Sequence, residues 1–337
     1  PFIINYTQKR SINMNKITKL GLTALAGSLA VTSANAGSYS ASGSASMGLT
    51  SVSGSQASYD ANAVTSGNGW SMGNSVTFAG SGDLDNGMTL SMSFELDQGA
   101  PDGNGPFDSH SLKLGMNEMG TLTFAGHGGS TVMSNWDDKT PTASEEAWDV
   151  GDNNAAAADD GGGNNSFFYS NTFADSVNVY ASYTNQYAAL GNESYSDWGV
   201  SYTGVEGLTV AYAEGENKQT AGSYDEQNTM WMTYAYGPVT VGYQVSESDV
   251  QGGNNSDADA TAYSASYAVN DDLSISYSVH EFEYGNTALV DQESSGISAS
   301  YTMGSISMTA AFNQTDNVAG ETGADEEGYY ISMAFAF

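Results

Sequence analysis

The chain has 337 residues, and its 39 acidic residues against seven basic ones give a formal net charge of −32. A chain this acidic excludes nucleic acid as a partner, because phosphate binding requires a basic surface. No cysteine is present, which excludes disulfides, thiolate metal sites and cysteine nucleophiles.

A secretory signal peptide is the first predicted element. Met14 opens a short basic segment with two lysines, and an apolar stretch follows at 20–31. Ala34 and Ala36 then form a small-x-small site, which predicts cleavage before Gly37. The apolar stretch is too short to span a bilayer as a mature helix.

The predicted initiator Met14 and this cleavage site divide the chain into three parts. Residues 1–13 are interpreted as read-through upstream of an initiator methionine, 14–36 as the signal peptide and 37–337 as one barrel domain. All 39 acidic residues lie in the last part. The basic residues that remain there are Lys113, Lys139 and Lys218.

Alternating runs of apolar and polar residues recur through the mature part, and this period of two predicts β-strands. Tight turns join the strands in pairs; Asn86-Gly87, for example, supplies the left-handed backbone that a hairpin needs. Sixteen strands are predicted, at 38–50, 74–81, 88–96, 109–116, 120–127, 166–170, 176–183, 198–203, 208–213, 230–236, 239–246, 262–269, 273–280, 296–301, 305–313 and 328–337.

The connections between these strands alternate between short and long. Short periplasmic turns, long external loops and an even strand count are typical of outer-membrane barrels. The predicted fold class is therefore all-β, a sixteen-stranded antiparallel transmembrane β-barrel with a water-filled lumen. The long connections are 51–73, 97–108, 128–165, 184–197, 214–229, 247–261, 281–295 and 314–327.

The last predicted strand has one face of large apolar side chains and one face of small residues. An exposed edge of this kind invites aggregation in water, whereas a strand that closes a barrel in lipid has no edge and an apolar solvent. We expect it to pair with the strand at 38–50. Its apolar face consists of Tyr329, Ile331, Met333, Phe335 and Phe337.

The opposite faces of the strands carry hydroxyl groups. At 273–279, for example, Ile275 and Tyr277 alternate with Ser274, Ser276 and Ser278. An unpaired hydroxyl in a dry core costs about 1–3 kcal/mol. So many inward hydroxyls therefore predict a wet interior.

The signal peptide, strand count, long third loop and terminal Phe337 together resemble the general, OmpF-like trimeric porins of Gram-negative bacteria, most closely the marine alphaproteobacterial type. The resemblance implies passive diffusion of small hydrophilic solutes and cations across the bacterial outer membrane by a homotrimer. It also implies contact with outer-membrane lipid and lipopolysaccharide, and recognition of the last strand as an insertion signal by the barrel-assembly machinery. In this family the third loop, here 128–165, folds into the barrel and narrows the channel.

Acidic residues dominate the candidate constriction. The Pro-Glu-Phe-Gly-Gly loop signature of enterobacterial members is missing, no strand supplies an arginine cluster, and Lys113 is the only basic residue on a predicted strand. Several carboxylates against at most two lysines predict a preference for cations. The candidate constriction residues are Asp137, Asp138, Lys139, Glu145, Glu146 and Asp149 of the loop, with Glu95 and Lys113 on the wall.

Two other functional classes remain open alternatives. A secreted or surface-exposed β-rich adhesin or structural protein would lack the aromatic terminal strand and the alternation of short and long connections. An enzyme is not predicted, because no G-x-S-x-G or H-E-x-x-H motif is present. The three histidines, His110, His127 and His280, do not by number alone rule out a catalytic triad.

No cofactor is predicted with any specificity. Acid-rich loops are candidate Ca²⁺ or Mg²⁺ sites because these ions take oxygen ligands. No segment has complete EF-hand spacing, so a solvated loop is the simpler interpretation. The candidate groups are Asp97, Asp102 and Asp108, and Asp249, Asp257 and Asp259.

Overall fold

A closed barrel is formed by the residues that the computed structural model describes, which are 37–54, 67–97, 107–148, 163–185, 192–219, 224–250 and 257–337. This part of the chain contains sixteen strands, each antiparallel to both of its neighbours, and the first strand pairs with the last. The predicted fold class is confirmed. No helix among the described residues is long and apolar enough to cross a membrane.

The strands follow one another around the barrel in chain order. Short turns join β2 to β3, β4 to β5 and so on, at the positions that the sequence predicts. The strands are β1 (Ser38–Gly54), β2 (Gly67–Asp83), β3 (Thr89–Asp97), β4 (Phe107–Gly115), β5 (Thr121–His127), β6 (Ser166–Phe173), β7 (Val177–Thr184), β8 (Asn192–Val205), β9 (Leu208–Gln219), β10 (Tyr224–Tyr236), β11 (Val239–Val250), β12 (Ala258–Ala268), β13 (Leu273–Tyr284), β14 (Gln292–Met303), β15 (Ile306–Asp316) and β16 (Glu326–Ala336).

Pairing of β1 with β16 closes the barrel. The register runs from Ser44 opposite Ala336 to Gly54 opposite Glu326. Beyond the strand, the Gly43 N–H donates to the Phe337 carbonyl oxygen at 2.8 Å, and the Phe337 N–H donates to the Gly43 carbonyl oxygen at 2.9 Å. A side-chain carbon at position 43 would lie 2.6 Å from the Phe337 ring, so glycine permits this close approach. The predicted junction is confirmed.

Several strands extend further toward the external loops than the alternation of side chains predicts. β8 begins at Asn192 and β9 ends at Gln219, each six residues beyond the predicted range. The ladder continues there because backbone hydrogen bonds do not depend on an apolar face. The extension places Lys218 on β9, so the expectation that Lys113 is the only basic strand residue was wrong. Lys218 faces outward on the same side of β9 as Tyr212.

The outer face of the barrel is apolar near the periplasmic turns and acidic near the external loops. Ile275 and Tyr277 on β13 are 45% and 52% exposed, whereas Glu281 and Glu283 follow on the same face toward the outside. Because charges facing lipid are costly, these acids mark the outer limit of the apolar band. The outward acids of β9 to β16 include Glu214, Glu216, Glu226, Glu247, Asp249, Asp259, Glu281, Glu283, Glu293, Asp316 and Glu327.

The inner face differs between the two sides of the barrel. On β1 the inward Ser38, Ser40 and Ser42 are exposed to the lumen. On β13, by contrast, Ser276 and Ser278 are only 8% and 3% exposed. The prediction of a wet interior therefore holds for the β1 side, while something covers the hydroxyls of the opposite side.

Candidate functional site: the third external loop and the channel it borders

The third external loop, residues 128–165 and hereafter loop three, covers those hydroxyls. Its ends are joined by an antiparallel bridge in which the Gly129 N–H donates to Gly163 at 2.7 Å and the Gly163 N–H donates back at 2.8 Å. Between these ends, the described stretch 130–148 lies inside the barrel. Its described contacts are with inward side chains of β7 to β16.

A buried carboxylate anchors the first turn of loop three. Asp197, on the inner face of β8, is 5% exposed, and its Oδ2 accepts the Met133 N–H at 2.9 Å. The hydroxyl groups of Ser182 and Tyr195 donate to the same carboxylate. These donors satisfy a charge that would otherwise be costly to bury.

An aromatic cluster holds Trp136, three residues further along the loop than Met133. The Trp136 ring meets the rings of Tyr180 and Trp231 edge to face, with centroids 5.3 Å and 5.6 Å away. Such edge-on pairs contribute about 0.5–1.5 kcal/mol each beyond the area they bury. The space for the indole exists because Gly199 lies beneath it; a side-chain carbon there would be 2.7 Å from the ring.

From β11 to β16, each strand contributes one inward side chain that bonds to the loop. Ser264 donates to the Pro141 carbonyl at 2.7 Å, and Ser276 accepts the Ala143 N–H at 2.8 Å. Loop three thus covers the inward hydroxyls of these strands, whereas those of β1 are exposed to the lumen, which explains the buried serines. The six side chains are Gln244, Ser264, Ser276, Ser298, Asn313 and Tyr330.

Inward glycines make room for the loop. A side-chain carbon at Gly242 would overlap the Pro141 ring, which lies directly above it. Glycine inside a strand commonly marks such a close approach of another chain segment. We call the four glycines beneath loop three the glycine seat; they are Gly199, Gly215, Gly242 and Gly296.

The predicted acidic residues of the loop fall into two groups along this path. Asp137 and Asp138 follow the Trp136 anchor near β11, and the Lys139 ammonium lies 3.6 Å from the Asp138 carboxylate. Glu145 and Glu146 lie at the other end, where Asn313 of β15 donates to the Glu146 carbonyl at 2.7 Å. Asp149 lies outside the described residues.

The two predicted wall residues lie at different heights on the uncovered side. Glu95 faces inward on β3, opposite Thr77 and Ser109, six residues from the periplasmic start of its strand. Lys113 faces inward on β4, two residues from the periplasmic end. Lys113 therefore lies near the periplasmic mouth of the channel and Glu95 nearer its middle.

Burial changes the acidity of one loop residue. Half-buried against the wall, Asp137 has its pKa raised to about 7, first by loss of solvation and second by repulsion from Asp138. The neighbouring Lys139 acts in the opposite direction but does not cancel these effects. A carboxyl with this pKa changes its charge near neutral pH.

The histidines are spread over different parts of the barrel. His280 lies in the lumen with its ring 4.2 Å from that of Trp148, while His110 and His127 occupy paired positions on β4 and β5. The structure thus separates His280 from the other two.

Several residues that build this site carry a weak signal in the sequence. Asp197, Gln244 and Asn313 interrupt inward rows that are otherwise mainly Ser, Thr, Ala and Gly. The glycine seat gives the same kind of signal, because glycine is disfavoured inside strands. Neither signal indicates that loop three is the segment these residues contact.

Other predicted sites are only partly within the described residues. Gly37 is described, but Ala34 and Ala36 are not, so the cleavage site and the domain boundary stay predictions. Tyr329, Ile331, Met333 and Phe335 face outward on β16, Ile331 being 50% exposed, and Phe337 follows directly after the strand. Asp102 lies outside the described residues. Among the described residues, no cluster of three or more potential metal ligands occurs. Calorimetric titration with Ca²⁺ would test whether the acidic loops bind this ion.

Comparison with solved structures gives the same barrel. An anion-selective porin from Comamonas acidovorans superposes with a TM-score of 0.69 at 12% identity, covering 89% of this chain and 99% of that one. OmpT of Vibrio cholerae with loop L8 deleted gives 0.67 at 16% identity, covering 90% and 100%. A mutant porin of Rh. blastica gives 0.63 at 14% identity, covering 89% and 100%. At these identities the likeness concerns the fold.

No curated protein matches the chain significantly. A family model described as Gram-negative porin matches residues 21–287. This match and the closed barrel place the protein in the bacterial outer membrane and favour a channel over an adhesin or an enzyme. The chain belongs to the Gram-negative porin family.

Proposed function

We propose that this porin passes small hydrophilic solutes and prefers cations, and that the carboxylates of loop three set this preference. The observation that carries the proposal is the position of four acids, Asp137, Asp138, Glu145 and Glu146, on a loop held inside the lumen. Only one lysine, Lys139, accompanies them in the described part of the loop.

The uncovered wall supports the same proposal. Hydroxyl groups line its inner face. The Oγ atoms of Ser38 and Ser81 are 2.7 Å apart, and those of Ser44 and Ser75 are 3.0 Å apart. Neutral hydroxyls replace water around a passing solute without selecting for charge. Of the two predicted wall residues, Glu95 is also an acid and Lys113 lies toward the periplasmic mouth. The sign of selectivity is then set mainly by the loop carboxylates, with Glu95 acting in the same direction.

Reversal potentials in planar bilayers test this proposal. Across a KCl gradient, we expect the reversal potential to have the sign that corresponds to a preference for K⁺ over Cl⁻. Its magnitude should be larger at low salt, because the Debye length rises from about 8 Å at 0.15 M to about 30 Å at 0.01 M and the carboxylates are then screened less. A reversal potential of the opposite sign would contradict the assignment of charge. Liposome swelling with sugars and organic ions of graded size would define the solutes that pass.

The raised pKa of Asp137 gives a prediction of pH dependence. Below its pKa of about 7 the carboxyl is protonated and neutral, and above it the group is charged. Cation preference should therefore increase as the pH is raised from 5 to 9, with its midpoint near 7. Asp137→Asn should remove this transition, and an unchanged titration in that variant would assign it to another group.

We also propose that the protein is a homotrimer. An apolar groove on the outer face of β3 to β5, lined by Met92, Phe94, Leu112 and Phe124, contains the ionisable His110. Such a group is costly in lipid, and a neighbouring protomer would cover it. One solved relative, OmpT of Vibrio cholerae, is described as a trimer form. Native mass spectrometry in detergent should give three copies; a monomer would count against the proposal.

The outer-membrane partners are likewise proposed. Outer-leaflet lipid, including lipopolysaccharide, would surround the barrel, and the barrel-assembly machinery would recognise the outward apolar residues of β16 that end in Phe337. Removal of Phe337 should then reduce the heat-modifiable barrel in outer-membrane fractions. A wild-type level of this species would argue against an insertion signal.

A further inference from the structure

The side chain of Gln244 holds loop three on both sides of its acidic pair. Gln244 is 3% exposed on the inner face of β11. Its Oε1 accepts the Lys139 N–H at 2.6 Å. Its Nε2 donates to the carbonyl oxygens of Trp136 at 2.6 Å and of Asp137 at 3.1 Å. These bonds bracket the dipeptide whose carboxylates carry the proposed charge.

The chemistry of the surrounding groups determines the orientation of this carboxamide. An acceptor must face the Lys139 N–H, and a donor must face the two carbonyl groups. Nε2 also lies 3.0 Å from the Thr229 hydroxyl, which in turn lies 2.8 Å from that of Ser246. A rotated amide would put donors opposite donors in a buried place, so one orientation is stable.

A second contact keeps the same segment from sliding along the wall. Trp136, directly before the acidic pair, is held between Tyr180 and Trp231. The backbone from 136 to 139 is thus bonded on the β11 side and packed on the β7 and β10 side. The acidic pair has little freedom to move while both contacts persist.

We infer that Gln244 is a positioning residue for ion selectivity, which fixes the backbone around Asp137 and Asp138 and thereby sets where their charge lies in the channel. This inference rests on the proposed function. The effect of a charge on a passing ion falls with distance and is screened over about 10 Å at 0.1 M salt. A displacement of a few ångströms by the pair therefore changes selectivity.

Gln244→Met tests the inference because the methionine side chain is similar in length to that of glutamine but is apolar and has no hydrogen-bonding amide. Gln292→Met is the matched control. Gln292 is also buried and inward on β14, where its Oε1 accepts the Ala319 N–H at 3.0 Å and the Tyr284 hydroxyl at 3.3 Å, and both of these partners lie outside loop three. Heat-modifiable mobility on gels would establish that both variants fold.

We expect Gln244→Met to reduce the cation-to-anion permeability ratio by roughly half or more. It should also broaden the distribution of single-channel conductance and abolish the pH transition near 7, since a released Asp137 is solvated. Gln292→Met should behave as wild type in all three measurements. A merely structural role would lower the yield of folded barrel without moving the pH profile.

Two outcomes separate this inference from the proposed function. If the wild type prefers cations and Gln244→Met keeps its permeability ratio and pH profile, the positioning role is refuted and the proposed function stands. If the wild type shows no cation preference, the proposed function fails. The distribution of single-channel conductance alone then decides whether Gln244 positions loop three. A narrow, wild-type distribution in Gln244→Met would then overturn the positioning role, and a broad one would support it.

Discussion

Replacing the four described loop acids by their amides, in Asp137→Asn, Asp138→Asn, Glu145→Gln and Glu146→Gln together, is expected to abolish cation preference. Two unit charges 4 Å apart interact by about 4 kcal/mol at an effective dielectric near 20, so several carboxylates beside the permeation path outweigh one lysine. Without them, Lys139 is left as a net positive charge on the described loop. The permeability ratio should approach one or turn toward anions.

Planar-bilayer reversal potentials at low salt measure this change. The matched control neutralises four outward acids, Glu281, Glu283, Glu293 and Glu327, which removes the same charge from the outer surface of the barrel. We expect this control to retain the wild-type sign, because the wall and the ionic atmosphere separate those residues from the lumen. Equal effects of the two variants would contradict local control by loop three.

The second large effect is expected from a side chain in the glycine seat. Gly242→Leu would place its first side-chain carbon 2.2 Å from the Pro141 Cδ and 3.3 Å from the Thr140 Cα. Both groups belong to the loop backbone or are bonded directly to it, so the clash cannot be relieved by rotating a side chain. The loop must leave the wall there, and it loses the neighbouring bonds of Gln244 and Ser264.

Loss of the seated loop should change single-channel conductance roughly two-fold or more and increase its fluctuation. Gly199→Leu, beneath Trp136, should act in the same way. Gly69→Leu serves as the control, because Gly69 also faces inward but its nearest neighbouring atom is the Thr50 carbonyl oxygen at 4.0 Å. If Gly242→Leu conducts as steadily as the control, the described contacts do not hold the loop.

Much of the barrel follows from local sequence. The alternation in Leu273–Tyr284 determines its two faces, and turns such as Gly237-Pro238 determine where hairpins reverse. The outward apolar residues of β16 require a partner strand, and β1 is the edge that remains. Strand ends were predicted less well, because the ladder in β8 and β9 continues where side chains on both faces are polar.

The sequence also identified loop three as acidic, but not its path. Each contact that places the loop joins residues far apart in the chain: Met133 with Asp197, Ala143 with Ser276, Glu146 with Asn313. Local sequence patterns contain no information on such pairs. The pattern therefore predicts that the Ser276 hydroxyl faces water, although in the structure it bonds to the loop. Likewise, Gly242 reads as a weak strand residue until Pro141 is found above it.

The sequence by itself thus determined a sixteen-stranded barrel with an apolar outer face, because side-chain period and turn chemistry are local properties. Only the tertiary structure decided which wall the loop covers, where Asp137 and Asp138 lie and why the pKa of Asp137 is raised. Those properties depend on burial and on hydrogen bonds between distant segments, and both arise only when the barrel has closed around the loop.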